Sequence, residues 1–65
     1  MGAVYTITAG GHVLADEGSL ALAAEYSRIA ARARPGLQIC VDNRAGERVA
    51  EYVIGSDGKM QAWVR

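Results

Sequence analysis

Apolar and polar residues alternate along several short stretches of this chain, a pattern that predicts half-buried β-strands. The first strand is predicted from Ala3 to Thr8, which is rich in β-branched residues. The glycine pair Gly10-Gly11 then suits a tight turn, because glycine adopts positive φ without strain. A short return strand from His12 to Ala15 completes a predicted N-terminal hairpin.

The apolar spacing changes to a helical period after Ser19, which is a favourable N-cap residue. Leu22, Tyr26, Ile29 and Ala33 fall four, three and four positions apart, and with the flanking Ala23 and Ala30 they predict one apolar stripe. The many alanines predict that the helix can approach a sheet closely. Pro35-Gly36 predicts the end of the helix, since neither residue continues it.

The C-terminal half returns to alternation and predicts three more strands. They are Leu37 to Asp42, Arg48 to Ile54 and Lys59 to Arg65. The turn after Asp42 is predicted to hold Asn43 and Gly46 in left-handed conformations, and Asp57-Gly58 favours a two-residue type I′ turn. The whole chain, residues 1–65, is therefore predicted to be one α+β domain of order ββαβββ, with a single antiparallel sheet of four to five strands packed on one helix.

The final hairpin has two faces, and a two-residue turn would place Tyr52 directly opposite Trp63 on one of them. Arg48, Ile54, Gln61 and Arg65 would share that face. A single helix covers only one side of a sheet, so two alternatives stay open. Either Tyr52 and Trp63 form the core with the helix, or they form an exposed aromatic platform rimmed by arginine, a composition enriched at binding hot spots.

Seven basic and seven acidic residues cancel, which argues against a dedicated nucleic-acid binder and equally against an acidic DNA mimic. Nucleic acid is therefore the less favoured partner. A single cysteine forms no internal disulfide and favours the cytoplasm for so small a domain. We expect neither export nor membrane insertion, because the chain shows no secretory leader and no long apolar run.

Candidate chemistry is sparse. Cys40 and His12 are the only cysteine and the only histidine, they lie on different predicted strands, and together they fall short of a metal site. Asp42, Glu47 and Glu51 gather near one turn, where we expect solvent to satisfy them. We therefore predict no enzyme activity, no metal and no cofactor.

Partner-binding candidates lie on two elements. One group lies on the final hairpin, and the other is a pair of arginines one turn apart on the polar side of the helix. The predicted partner-binding residues are Arg48, Tyr52, Gln61, Trp63 and Arg65 on the hairpin, and Arg28 and Arg32 on the helix.

The C-terminal two-thirds also carries a family resemblance. Its features are a helix that opens at Gly18-Ser19-Leu20, a strand, a turn with Gly46, and then Ala50, Tyr52, Asp57-Gly58-Lys59 and Trp63-Val64. This layout resembles small phage-encoded anti-CRISPR proteins, especially inhibitors of type I effector complexes. The N-terminal hairpin departs from it.

The resemblance implies a non-enzymatic inhibitor, of phage or mobile-element origin, in the host bacterial cytoplasm. Such a protein binds a Cas effector subunit and blocks target-DNA binding or nuclease recruitment by steric occlusion. A small nucleic-acid-binding or regulatory module and a homodimeric domain are the alternatives that the residues leave open.

Overall fold

The computed structural model describes residues 4–65, which form five strands and one helix in the order ββαβββ. The elements are β1 Tyr5–Ala9, β2 His12–Glu17, α1 Leu20–Ala33, β3 Ile39–Asp42, β4 Arg48–Ile54 and β5 Met60–Val64. The strands make one antiparallel sheet in the order β2-β1-β3-β4-β5, and α1 packs on one of its faces. The predicted α+β class and element order are confirmed. Ala3, where the first strand is predicted to begin, lies outside the described residues.

Local signals place the N-terminal hairpin and the helix ends correctly. Gly10 and Gly11 both have positive φ, 58° and 80°, and join paired strands. The second strand runs to Glu17, two residues beyond the predicted Ala15. The Ser19 hydroxyl accepts a hydrogen bond of 3.1 Å from the Leu22 amide, which caps the helix as predicted.

The buried side of α1 differs from the prediction. Ala23, Ser27 and Ala31 are fully buried, whereas Leu22 is 52% exposed and Ile29 61% exposed. These small side chains let the helix backbone approach the sheet closely. The buried Ser27 hydroxyl has a hydrogen-bond partner, because it donates to the Ala23 carbonyl at 2.7 Å. Of the predicted stripe, the flanking Ala23 and Ala30 do pack on the sheet, whereas the large residues Leu22 and Ile29 do not.

The core lies between α1 and the central strands. Its largest fully buried side chain is Tyr52, which is 2% exposed. The other buried apolar residues of the sheet are Ile7, Ala9, Ile39, Val41, Val49, Ala50 and Ile54. Tyr52 and Ile54 thus face the helix, as in the core alternative for the final hairpin, and Tyr52 is too deeply buried to bind a partner. Its inclusion among the partner-binding residues is wrong.

The turn between β4 and β5 has three residues instead of the predicted two. Gly55 pairs with Lys59, and Gly58 donates to the Gly55 carbonyl at 2.9 Å. Gly58 has φ of 81°, while Asp57 keeps negative φ and accepts a hydrogen bond from the Lys59 amide. This matches a type I turn followed by a left-handed glycine, which spares Asp57 the left-handed conformation that type I′ demands.

One extra loop residue inverts β5 relative to β4. Tyr52 pairs with Ala62, and Trp63 pairs with Glu51. The prediction that Tyr52 and Trp63 share a face is therefore wrong.

The turn between β3 and β4 also departs from the prediction in one respect. Gly46 is left-handed, with φ of 83°, but Asn43 is not. The Asn43 side-chain oxygen instead accepts hydrogen bonds from the Ala45 and Glu47 amides, at 3.0 and 2.9 Å. Asparagine therefore stabilises this turn through its side chain, as an Asx motif does.

Candidate functional site

The face of the sheet that points away from α1 is uncovered by any element of residues 4–65. We call it the open face. Its side chains belong to the positions that alternate with the core residues, because successive residues of a strand point to opposite sides. Those that matter for the site are Cys40, Asp42, Arg48, Glu51, Gln61 and Trp63.

Trp63 is the largest side chain on the open face, and its orientation is fixed. The three-residue loop sets it opposite Glu51, and its indole N–H donates to Glu51 Oε1 at 2.7 Å. The residue keeps 44% of its surface exposed. A tryptophan with its polar atom already bonded presents an ordered apolar surface to solvent.

Arg48 holds the other oxygen of the same carboxylate. Its Nη1 donates to Glu51 Oε2 at 2.7 Å, and its Nε donates to Asp42 Oδ1 at 2.5 Å. Strict alternation would place Arg48 on the core side with Tyr52. The register shift between Val41 and Asp42 skips one residue of β4 and brings Arg48 across to the open face. Trp63, Glu51, Arg48 and Asp42 form what we call the Trp63 cluster.

Hydrogen bonds and burial shift the pKa values of Glu51 and of the neighbouring Cys40. The Trp63 indole, and after it the Arg48 guanidinium, hold the pKa of Glu51 below its ordinary value. Burial raises the pKa of the Cys40 thiol, whose sulfur lies 3.9 Å from Glu51 Oε2. The carboxylates of Glu51 and Asp42 raise it too, against the opposing effect of Arg48. At neutral pH Glu51 is therefore a carboxylate, and the neighbouring Cys40 is a neutral thiol.

The Trp63 indole proton should report the titration of Glu51. A lowered pKa means that folding favours the carboxylate, so this contribution to stability is present above the unfolded-state pKa, about 4.3. It is lost as the pH falls through the lower folded-state value. We expect the Nε1–H resonance in proton NMR to shift with a midpoint below about 4.3. Arg48→Ala should move that midpoint upward, and a wild-type midpoint at or above the ordinary value would contradict the bonding described for Glu51.

The predicted partner-binding residues do not form one surface. Arg48, Gln61 and Trp63 meet on the open face, while Arg65 lies at its margin and pairs with Glu47 at 3.4 Å. Arg28 and Arg32 lie on α1, in the other layer of the molecule. Arg32 lines a groove of 830 Å³ between the helix end and the β4–β5 turn. The helix arginines and the Trp63 cluster thus face different directions.

Sequence reasoning missed the central role of Glu51. It treats Asp42 and Glu51 as solvated turn residues, whereas each accepts from Arg48 and Glu51 also accepts from Trp63. The one available signal was the three-residue spacing of Arg48 and Glu51. Arg48 and Glu51 touch only because the register shift beside Arg48 brings both residues to the same face of the sheet. That register shift leaves no clear pattern in the sequence.

The two candidate catalytic side chains lie apart. His12 pairs with Ala9 on the helix side of the sheet, and Cys40 pairs with Glu51 on the open face. The sheet therefore separates the thiol from the imidazole. Among residues 4–65, no group of three or more histidine, cysteine or acidic side chains is arranged to hold a metal ion.

The fold and site define a small α+β domain with one uncovered sheet face built around an ordered tryptophan. No protein-family model, curated protein or solved structure matches the chain. The described helix, α1, has 14 residues, which is too short for a membrane span.

Proposed function

We propose that this domain binds another protein through the open face and acts by covering a functional surface of that partner. The observation that carries this proposal is the half-exposed Trp63, held in one orientation by Glu51 on a sheet face that nothing described covers. Tryptophan is enriched at binding hot spots. A side chain that is already ordered also loses less conformational freedom on binding.

The charges of the open face favour a partner with basic groups. Asp16, Asp42 and Glu51 contribute three carboxylates, Arg48 contributes one guanidinium, and Arg65 at the margin is paired with Glu47. Phosphates would meet these carboxylates unfavourably, so the face gives no support to the nucleic-acid-binding alternative. A protein surface that itself holds nucleic acid is basic and complements the open face.

The partner we propose is a subunit of a type I Cas effector complex, in the cytoplasm of a bacterial host. Its support is the resemblance of the C-terminal two-thirds to small anti-CRISPR proteins, together with the acidic and aromatic character of the open face. A Cas subunit must offer a basic surface to its nucleic acids. An acidic protein face seated there would exclude target DNA by occupancy alone, without any chemical step.

Trp63→Ala tests this proposal, with Val64→Ala as a matched control. Val64 is the next residue of β5, is 52% exposed and points to the opposite side of the sheet. We expect purified type I effector complex to capture the wild-type chain and Val64→Ala, and to lose DNA binding in their presence. Trp63→Ala should bind at least about 30-fold more weakly, the loss typical of a hot-spot residue.

Two results would count against the proposal. Wild-type affinity of a folded Trp63→Ala chain would exclude the open face as the binding surface. A wild-type chain that binds none of the type I effector complexes tested, at low or moderate salt, would exclude the Cas partner.

A further inference from the structure

An apolar stripe on α1 stays largely exposed to solvent, although the Tyr26 hydroxyl donates to the Leu14 carbonyl of β2 at 3.5 Å. Leu22, Tyr26 and Ile29 are 52%, 37% and 61% exposed, and Ala33 continues the same line. The small residues Ala23, Ser27 and Ala31 already fill the contact with the sheet. Three large apolar side chains aligned on one exposed helix face are more than the scattered apolar residues of an ordinary surface.

The spacing of this outer stripe is that of a helix–helix seam. Leu22, Tyr26, Ile29 and Ala33 follow one another at four, three and four residues, the alternation that places side chains along the contact line of two packed helices. The sheet leaves much of that seam exposed, although Tyr26 and Ala33 border a groove next to β2. A second helix of the same kind would cover it.

Two charged residues border the stripe on one flank. Glu25 immediately precedes Tyr26, and Arg32 immediately precedes Ala33, so both occupy the same position relative to the seam, seven residues apart. Neither forms an ion pair with any residue from 4 to 65. The flank is thus acidic toward the start of α1 and basic toward its end.

We propose that two copies of the chain associate through the outer stripes of their α1 helices, packed antiparallel about a two-fold axis. In that arrangement Tyr26 of each copy lies against Ile29 of the other, and Leu22 lies against Ala33. The two-fold axis also places the charged flank of one helix against the charged flank of the other, and the two flanks run in opposite directions. Glu25 of each copy then lies beside Arg32 of the other, and both charges gain a partner.

The charge pattern selects this orientation over a parallel one. In a parallel pair the charged flank of one helix would face the opposite flank of the other. That flank holds Ala30 and Ala23, of which Ala23 is fully buried against the sheet, and neither alanine offers an ion pair. The self-complementary charge order therefore points to a second copy of this chain as the occupant of the stripe.

The contact is small, and the dimer should form and dissociate readily. A standard interface removes about 800 Å² from each partner, roughly a fifth of the 4093 Å² accessible surface of this chain. A 14-residue helix contributes less, which places the pair among weak, transient interfaces. The two open faces would point outward on opposite sides, so the dimer is independent of the function proposed for Trp63.

Charge reversal at the flank tests the orientation. Glu25→Arg sets arginine against arginine at two places in the dimer, and Arg32→Glu sets glutamate against glutamate. Sedimentation equilibrium from about 1 µM to 1 mM covers the range of weak interfaces. We expect the wild-type mass to rise from 6.9 kDa toward twice that value. Each single variant should dimerise more weakly than the wild type, by a factor of up to about ten. The double variant should recover the dimerisation constant of the wild type.

Ile29→Glu tests the stripe itself. Ile29 is 61% exposed, so the variant should fold normally and remain monomeric across the concentration range. Val13→Glu is the matched control, since Val13 is 62% exposed but lies on the open face opposite Thr8. It should dimerise like the wild type. A wild-type chain that is monomeric at 1 mM, a dimer unaffected by Ile29→Glu, or a double variant no better than the singles would overturn the proposal.

Discussion

Tyr52→Ala is expected to leave the chain unfolded at room temperature. Tyr52 is the largest fully buried side chain of the domain, and it fills the space between the sheet and α1. Removing a buried aromatic ring costs about 3–5 kcal/mol. A single core of this size supplies only about 3–5 kcal/mol in total, so the loss is comparable with the whole free energy of unfolding. Circular dichroism should show loss of the native far-ultraviolet spectrum.

Two control variants show whether the loss of stability comes from the Tyr52 ring. One removes only the Tyr52 hydroxyl, and the other removes a different aromatic side chain. The Tyr52 hydroxyl is buried and has no hydrogen-bond partner among the described residues. Tyr52→Phe should therefore fold and be at least as stable as the wild type, because it removes an unsatisfied polar atom. Trp63→Ala should also fold, since Trp63 lies on the open face. A folded Tyr52→Ala chain, or an unfolded Trp63→Ala chain, would reverse the assignment of the two faces.

Ala31→Leu is expected to lower the melting temperature by roughly 4–24 °C. Ala31 is fully buried where α1 meets the sheet, and leucine would push the helix away from the strands. Overpacking of this kind costs about 1–3 kcal/mol, and each kcal/mol shifts the midpoint by about 4–8 °C in a domain of this size.

Ala21→Leu is the matched control for this prediction, because Ala21 lies on the same helix but is exposed. It should melt within a few degrees of the wild type, since leucine is almost as good a helix former as alanine. Equal melting temperatures for the two variants would mean that α1 packs on the sheet through another face.

Local signals were sufficient for most of the fold. Ser19 begins the helix, Pro35-Gly36 follows its end, and Gly10-Gly11 forms the first turn, because each of these depends on the backbone preferences of a few adjacent residues. Strand β4 lies within its predicted bounds, Arg48 to Ile54. The element order follows from these positions alone.

The orientation of α1 was not predictable from its apolar period. The helix carries two apolar stripes, one of large residues through Leu22 and Ile29 and one of small residues through Ala23 and Ala31. Hydrophobicity favours the first as the buried side. Close approach of helix and sheet favours the second, and that preference depends on the shape of the finished core rather than on local sequence.

The site was predicted only in part, because two single-residue irregularities decide on which side of the sheet its residues lie. Asp57-Gly58 fits a two-residue or a three-residue turn, and the choice decides the face on which Trp63 lies. The register shift beside Arg48 likewise moves that residue to the other side of the sheet. Gln61 and Trp63 stay together because both belong to β5, whereas Tyr52 separates from them.

The most direct measurement of the open face is the emission of Trp63, the only tryptophan in the chain, with and without iodide. We expect red-shifted emission that iodide quenches readily. The emission should be the same at low and high protein concentration, since association through α1 leaves Trp63 in solvent. Blue-shifted emission that iodide cannot quench at any concentration would place Trp63 in the core and contradict a binding face built around it.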